Sequence, residues 1–158
     1  MAYGEAVNSF SELSKLNGTD LLARMIYSEA RGESDKGRRG CAFVAKNRKD
    51  KNTTEFGGNT WAGVILKSGQ FDGMKTDAAL CPDTSSTAWK ECLELALNVY
   101  DEVNPIGTCL WFNGNSYYEG RCRTSGDKEY YSFDSGSERE VVEKVVIGNH
   151  TFFRVSGY

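Results

Sequence analysis

Residues 19–33 read Thr19-Asp20-Leu21-Leu22-Ala23-Arg24-Met25-Ile26-Tyr27-Ser28-Glu29-Ala30-Arg31-Gly32-Glu33. Leu22, Met25 and Ile26 recur at helical spacing. Thr19 or Asp20 can cap the start and Gly32 can end it, so a helix to about Arg31 is expected. At about 100° per residue, Glu29 falls seven positions after Leu22 and lands between Met25 and Ile26 on that apolar face. Arg24 and Arg31 lie on other faces of the helix and do not obviously neutralise it. Burying a carboxylate without a cation favours its protonated form. A carboxyl group that keeps its proton near neutral pH is what a general acid needs. An ion-paired structural glutamate is the alternative reading.

Outward from this helix, residues 1–18 are polar and read as an arm or a short leading helix. A second helix is expected over Asp35–Lys49, with Gly37, Gly40, Cys41, Val44 and Ala45 forming a small-residue stripe that implies close packing. Its basic residues, Lys36, Arg38, Arg39, Lys46, Arg48 and Lys49, with Lys51 beyond, read as a solvated face or as a contact for a polyanionic polymer. Thr60 caps a short helix, Trp61–Leu66, after which Gln70-Phe71 form a turn or short strand. The apolar spacing of Trp89, Cys92, Leu93, Ala96, Val99, Tyr100 and Val103 predicts a long helix from Ser85 to about Val103. Cys109–Phe112 reads as a strand, 113–140 as a polar surface insertion dotted with Tyr, and 141–147 with 150–155 as a hairpin turning at Gly148-Asn149. The fold class is α+β, mainly helical with a small late β region, in a single domain.

Composition removes several functions. The chain has 158 residues and a net charge of −3, which argues against a dedicated nucleic-acid binder. No apolar run reaches the roughly 18 residues of a membrane span. No signal peptide is expected at the start. Five cysteines without a CxxC pair argue against a disulfide framework or thiolate zinc site, and a single histidine, His150, argues against a zinc hydrolase. Neither a metal nor another cofactor is expected.

The string Leu22–Glu33 resembles the opening motif of the spore cortex-lytic cell-wall hydrolases of the SleB/CwlJ type. The resemblance continues through Gly37, Ala42-Phe43-Val44 and Asn47-Arg48, then Trp61-Ala62-Gly63-Val64-Ile65 and Gly69-Gln70-Phe71. It ends with Asn104-Pro105-Ile106-Gly107 and Val146-Ile147-Gly148-Asn149-His150-Thr151-Phe152-Phe153. These blocks stand in family order over most of residues 20–153.

The resemblance implies a lysozyme-like, lytic-transglycosylase-like domain with a cleft between a helical lobe and a small β region. It implies cleavage of the β-1,4 bond between N-acetylmuramic acid and N-acetylglucosamine in peptidoglycan glycan strands. Glu29 is the expected catalytic acid and then base, with the muramyl 6-hydroxyl as nucleophile. Glu33, one turn on, is expected as a helper or structural group at the substrate-binding site. Gln70 and Phe71, an amide for N-acetyl groups and a surface for a sugar ring, are further substrate-binding candidates. Trp111 and Tyr117, with Phe112, are the expected sugar platform, and His150 is expected to make structural hydrogen bonds at a hairpin tip. No separate peptidoglycan-binding domain is expected in the chain, so targeting is expected from the catalytic domain or from an accessory protein. The expected setting is a protein made in the cytoplasm that acts on the cell wall, at the spore or as a phage-type lysin. The rivals are a Cys–His amidase or endopeptidase, which needs an accessible thiolate beside an imidazole, and a non-catalytic glycan-binding module.

Overall fold

Asn17 accepts a hydrogen bond from the Asp20 amide and starts α1 (Gly18–Ala30), so the cap lies slightly before the expected Thr19 or Asp20. The computed structural model describes residues 2–158. α1 is the axis of the helical lobe. It packs against α2 (Asp35–Lys51), α3 (Trp61–Ile65), α4 (Asp77–Leu80) and α5 (Thr87–Leu97). Leu21, Leu22, Met25 and Ile26 are each at most 1% exposed. A helix enclosed on so many sides forces its charged residues to find partners. Arg24, fully buried, pairs with Asp20 at 2.9 Å and donates to the carbonyls of Ala79, Leu80 and Glu5. That guanidinium is committed to Asp20, the end of α4 and the Glu5 carbonyl, and Glu29 is not among its partners.

The leading stretch is docked along its length rather than free. The Gly4 amide donates to Asp20, the Val7 amide donates to the Leu80 carbonyl, and a 3₁₀ turn over Phe10–Lys15 buries Leu13 completely. Ser34 caps α2 by accepting from the Gly37 amide. The small-residue stripe of α2 is buried and does bring a neighbour close: a Cβ on Gly40 would lie 2.6 Å from the Phe152 ring. On the opposite face Arg39 pairs with Asp35 and Lys46 with Asp50, each four residues apart. Arg48 departs from the solvated face expected of it and is 4% exposed.

The fifth helix is shorter than its apolar spacing predicts. It ends at Leu97, Asn98 folds its side chain back onto the Glu94 carbonyl, and a 3₁₀ turn over Val99–Asp101 follows. Tyr100 and Val103, expected in the core stripe, are 64% and 73% exposed.

The larger correction concerns residues 113–140. They are no appended loop but most of one wall of the molecule. β1 (Trp111–Gly114) leads into α6 (Asn115–Gly120), β2 (Cys122–Ser125), β3 (Lys128–Ser132) and β4 (Glu138–Ile147), and β5 (His150–Val155) closes the sheet. All neighbours are antiparallel, in the order β1-β5-β4-β3-β2. The β4–β5 hairpin turns where expected, with Gly148 at φ 56°. Adjacent residues of β5 face opposite ways. Phe152 joins the helical core, while Phe153 joins a second core with Tyr118, Tyr131 and Val155.

Candidate active site

Glu29 occupies the last turn of α1, half-buried, at the edge of a cleft of about 590 Å³ between the helical lobe and the sheet. A 3₁₀ turn over Asp72–Lys75 runs directly beside it. Gly73 permits that approach, since a Cβ there would sit 3.0 Å from the Glu29 carboxyl carbon and 2.7 Å from Ser28 Oγ. Burial pushes the Glu29 carboxyl up from its usual range. The Gly73 backbone amide opposes this, and the nearby charge of Asp72 adds to it. Among the described residues no cation lies within ion-pairing distance of Glu29. A half-buried acid without a cation, facing a cleft, is equipped to hold and then release a proton.

Gln70 and Phe71 enter from the turn before Asp72 and line the same cleft. Phe71 is 5% exposed, so it lies flush with the floor, its ring 6.3 Å from that of Phe112. Opposite stand Trp111, Phe112 and Tyr117 from β1 and α6. Tyr117 is exposed and free to meet a ligand. Trp111 divides its surface, lining the cleft while stacking on Phe153 and meeting Phe56 and Tyr158 edge-on.

Glu33 stands apart from these residues. Its carboxylate accepts from the Asn149 backbone amide and side-chain amide, both at 3.0 Å, and so braces the β4–β5 turn. These bonds, the backbone one foremost, hold its carboxyl below the usual range, with the neighbouring His150 charge adding to them. Among the described residues His150 makes no side-chain hydrogen bond of the structural kind expected. Its Nδ1 is buried without a hydrogen-bond partner, 3.7 Å from Glu33, and its ring meets Phe112 edge-on at the cleft wall. Burial holds the imidazole below its ordinary value, against the pull of Glu33.

Arg48 is the cleft residue that the sequence reading passed over as part of a basic run. It lines the cleft, donates to the Leu110 carbonyl at 2.7 Å and to Gln70 Oε1 at 2.8 Å, and lies over the rings of Phe56 and Phe71. Desolvation pulls its guanidinium down to about 9, with Glu55 acting the other way. The signal was available: Arg48 follows Cys41 by seven residues and Val44 by four, on the buried stripe of α2.

The thiol rival fails on placement and ionisation. Burial raises Cys41 well above the ordinary thiol range, Cys92 to about 11 and Cys109 to about 12. No cysteine is among the residues lining the cleft with His150. A thiol held protonated is a poor nucleophile.

The family model described as "Cell Wall Hydrolase" matches residues 32–153. None of the curated proteins matches the chain. Two solved structures share the fold. The catalytic domain of the germination-specific lytic transglycosylase SleB from Bacillus anthracis has 22% identity and a TM-score of 0.55, over 87% of this chain and 94% of that one. The catalytic domain of the Bacillus cereus SleB protein has 22% identity and a TM-score of 0.54, over 94% of this chain and 95% of that one.

Proposed function

From a chain that belongs to the cell wall hydrolase family, we infer an enzyme that cuts the glycan strand of peptidoglycan between N-acetylmuramic acid and N-acetylglucosamine, without consuming water. The carrying observation is Glu29: a carboxyl group raised by burial, without a cation, at the edge of a cleft about 590 Å³ in volume. Glu29 gives its proton to the glycosidic oxygen as the bond to the muramyl anomeric carbon breaks. The muramyl 6-hydroxyl then bonds to that carbon, and its proton passes to the Glu29 carboxylate. The product is a 1,6-anhydromuramic end, and the carboxyl is regenerated. Intramolecular attack supplies a high effective concentration of nucleophile, so one carboxylate suffices where hydrolysis ordinarily recruits a pair. Tyr117 offers a surface for a sugar ring along the cleft, Phe71 lies flush with its floor, and Gln70 offers its amide.

We assign the setting to the spore cortex, with targeting by an accessory protein. Comparing cortex fragments with vegetative sacculi as substrates tests that assignment against a phage-type lysin. Mass spectrometry of digests made in ¹⁸O-water tests the chemistry. Unlabelled anhydro-muropeptides are expected. Labelled reducing ends would instead mark hydrolysis and turn attention to Asp72, the other cleft carboxylate nearest Glu29 in the chain. Cut stem peptides would overturn the glycosidase reading altogether.

A further inference from the structure

Gln70 can present either end of its carboxamide to the cleft, and the two ends select opposite ligands. Arg48 decides between them. A guanidinium donates and never accepts, so the group it meets at 2.8 Å has to be the Gln70 oxygen. Turning the amide around would set two donors against each other and leave a buried guanidinium N–H unpaired. Arg48 is itself fixed by the Leu110 carbonyl at 2.7 Å and by the rings of Phe56 and Phe71, 4.8 and 5.0 Å from its guanidinium carbon. The Gln70 NH₂ has no hydrogen-bond partner among the described residues, and Gln70 lines the cleft.

We propose that Arg48 is a positioning residue that holds Gln70 with only its NH₂ turned to the cleft, making this a subsite for the acetamido oxygen of an N-acetylated sugar and against a de-N-acetylated one. The inference rests on the glycan-cleaving reading above and sharpens it. An acetamido carbonyl accepts the bond that the NH₂ offers. A glucosaminium brings only N–H donors on a positive charge, so it meets an unaccepting amide backed by a cation. Such a site discriminates by what it leaves unpaired as much as by what it binds.

The test is calorimetric binding of tetra-N-acetylchitotetraose and of its fully de-N-acetylated counterpart to the whole chain. Neither ligand carries a lactyl group, so a preference reports on the acetamido oxygen and not on a muramyl carboxylate. The wild type is expected to prefer the acetylated ligand about tenfold or more, the scale of one well-placed hydrogen bond. In Gln70→Glu the carboxylate pairs with Arg48, keeping that guanidinium satisfied, but offers the cleft acceptors alone. Its preference is expected to disappear or invert. Arg48→Met frees the amide to turn and is expected to shrink the preference to about threefold or less; should it fail to fold, Gln70→Glu still decides. A wild type without preference, or a Gln70→Glu variant that keeps it, overturns the inference. Digestion of sacculi by the wild type separates the two readings. Anhydro ends without ligand preference would sink only this subsite, whereas an inverting preference without cleavage would sink the glycosidase and leave the subsite standing.

Discussion

The end of α1 and the loop just beyond it carry one carboxylate each, four residues apart, and the fold treats them in opposite ways. Glu29 is half-buried beside Gly73, and burial raises its carboxyl above the usual range. Glu33 meets the two Asn149 amides, which hold its carboxyl below the usual range. Glycosidases often need two carboxyl groups with separated pKa values. This molecule shifts its two in opposite directions, but the lowered one, Glu33, braces the sheet wall. The lesson is that proximity in sequence to the proposed catalytic acid says little about role; the partners on the opposing element decide.

Four experiments bear on that contrast, the largest expected effect first. Glu29→Gln removes the transferable proton while keeping shape, so turnover of peptidoglycan is expected to fall by about 10²-fold or more. Circular dichroism and glycan binding should persist. Retention of a tenth of the activity would end the assignment.

Gly73→Ala adds a Cβ that would lie 2.7 Å from Ser28 Oγ and 3.0 Å from the Glu29 carboxyl carbon. The atoms that give way are side-chain ends, so the fold survives while the acid is displaced. Activity is expected to fall about 10- to 100-fold, the scale of a 1 Å misplacement, with little change in thermal midpoint.

Glu33→Ala removes both acceptors from Asn149. A loss of about 1 kcal/mol in urea unfolding, at unchanged m-value, is expected, with a smaller loss of activity than at Glu29. An activity loss matching Glu29→Gln would show that Glu33 takes part in the chemistry after all.

The smallest effect is the most discriminating. Glu29, raised in the folded state, contributes stability below its usual value of 4.5 and loses it as pH rises through the higher folded value. Glu33, lowered in the folded state, contributes above 4.5 and loses that contribution as pH falls through the lower folded value. The stability of wild type minus Glu29→Gln is therefore expected to decline with rising pH, and that of wild type minus Glu33→Gln to climb. Urea midpoints taken from pH 3 to pH 8 give both slopes, and two slopes of the same sign would erase the contrast.

The two lobes also differed in how far the sequence disclosed them. α1 and Glu29 were legible because a single helix carries its own apolar period and the carboxylate interrupts it. The hairpin around Gly148-Asn149 was legible from its turn chemistry. The wall over 113–140 was not, because β2 is mostly exposed, β3 buries only Tyr131, and the buried residue of α6 is Tyr118, and both tyrosines read as polar-loop residues. Its core exists only once Phe153 and Trp111 arrive from elsewhere in the chain. Gln70, Phe71, Trp111 and Tyr117 were picked out by residue type and motif, and they converge on one cleft. Arg48 was missed because charge was weighed over residues 35–51 as a block; its place on the stripe with Cys41 and Val44 was the informative fact.

β5 belongs to both cores at once, with Phe152 and Phe153 each fully buried on opposite sides of the same strand. Moving one lobe against the other would have to draw one of those rings from its bed, a disruption on the scale of about 3–5 kcal/mol that a Phe→Ala change in a core incurs. The groove is therefore walled by two lobes whose cores share one strand. Its width is set by close packing. On the glycan-cleaving proposal, the glycan itself would have to keep water from the anomeric carbon, and a strand too short to fill the groove would leave the reacting bond wet.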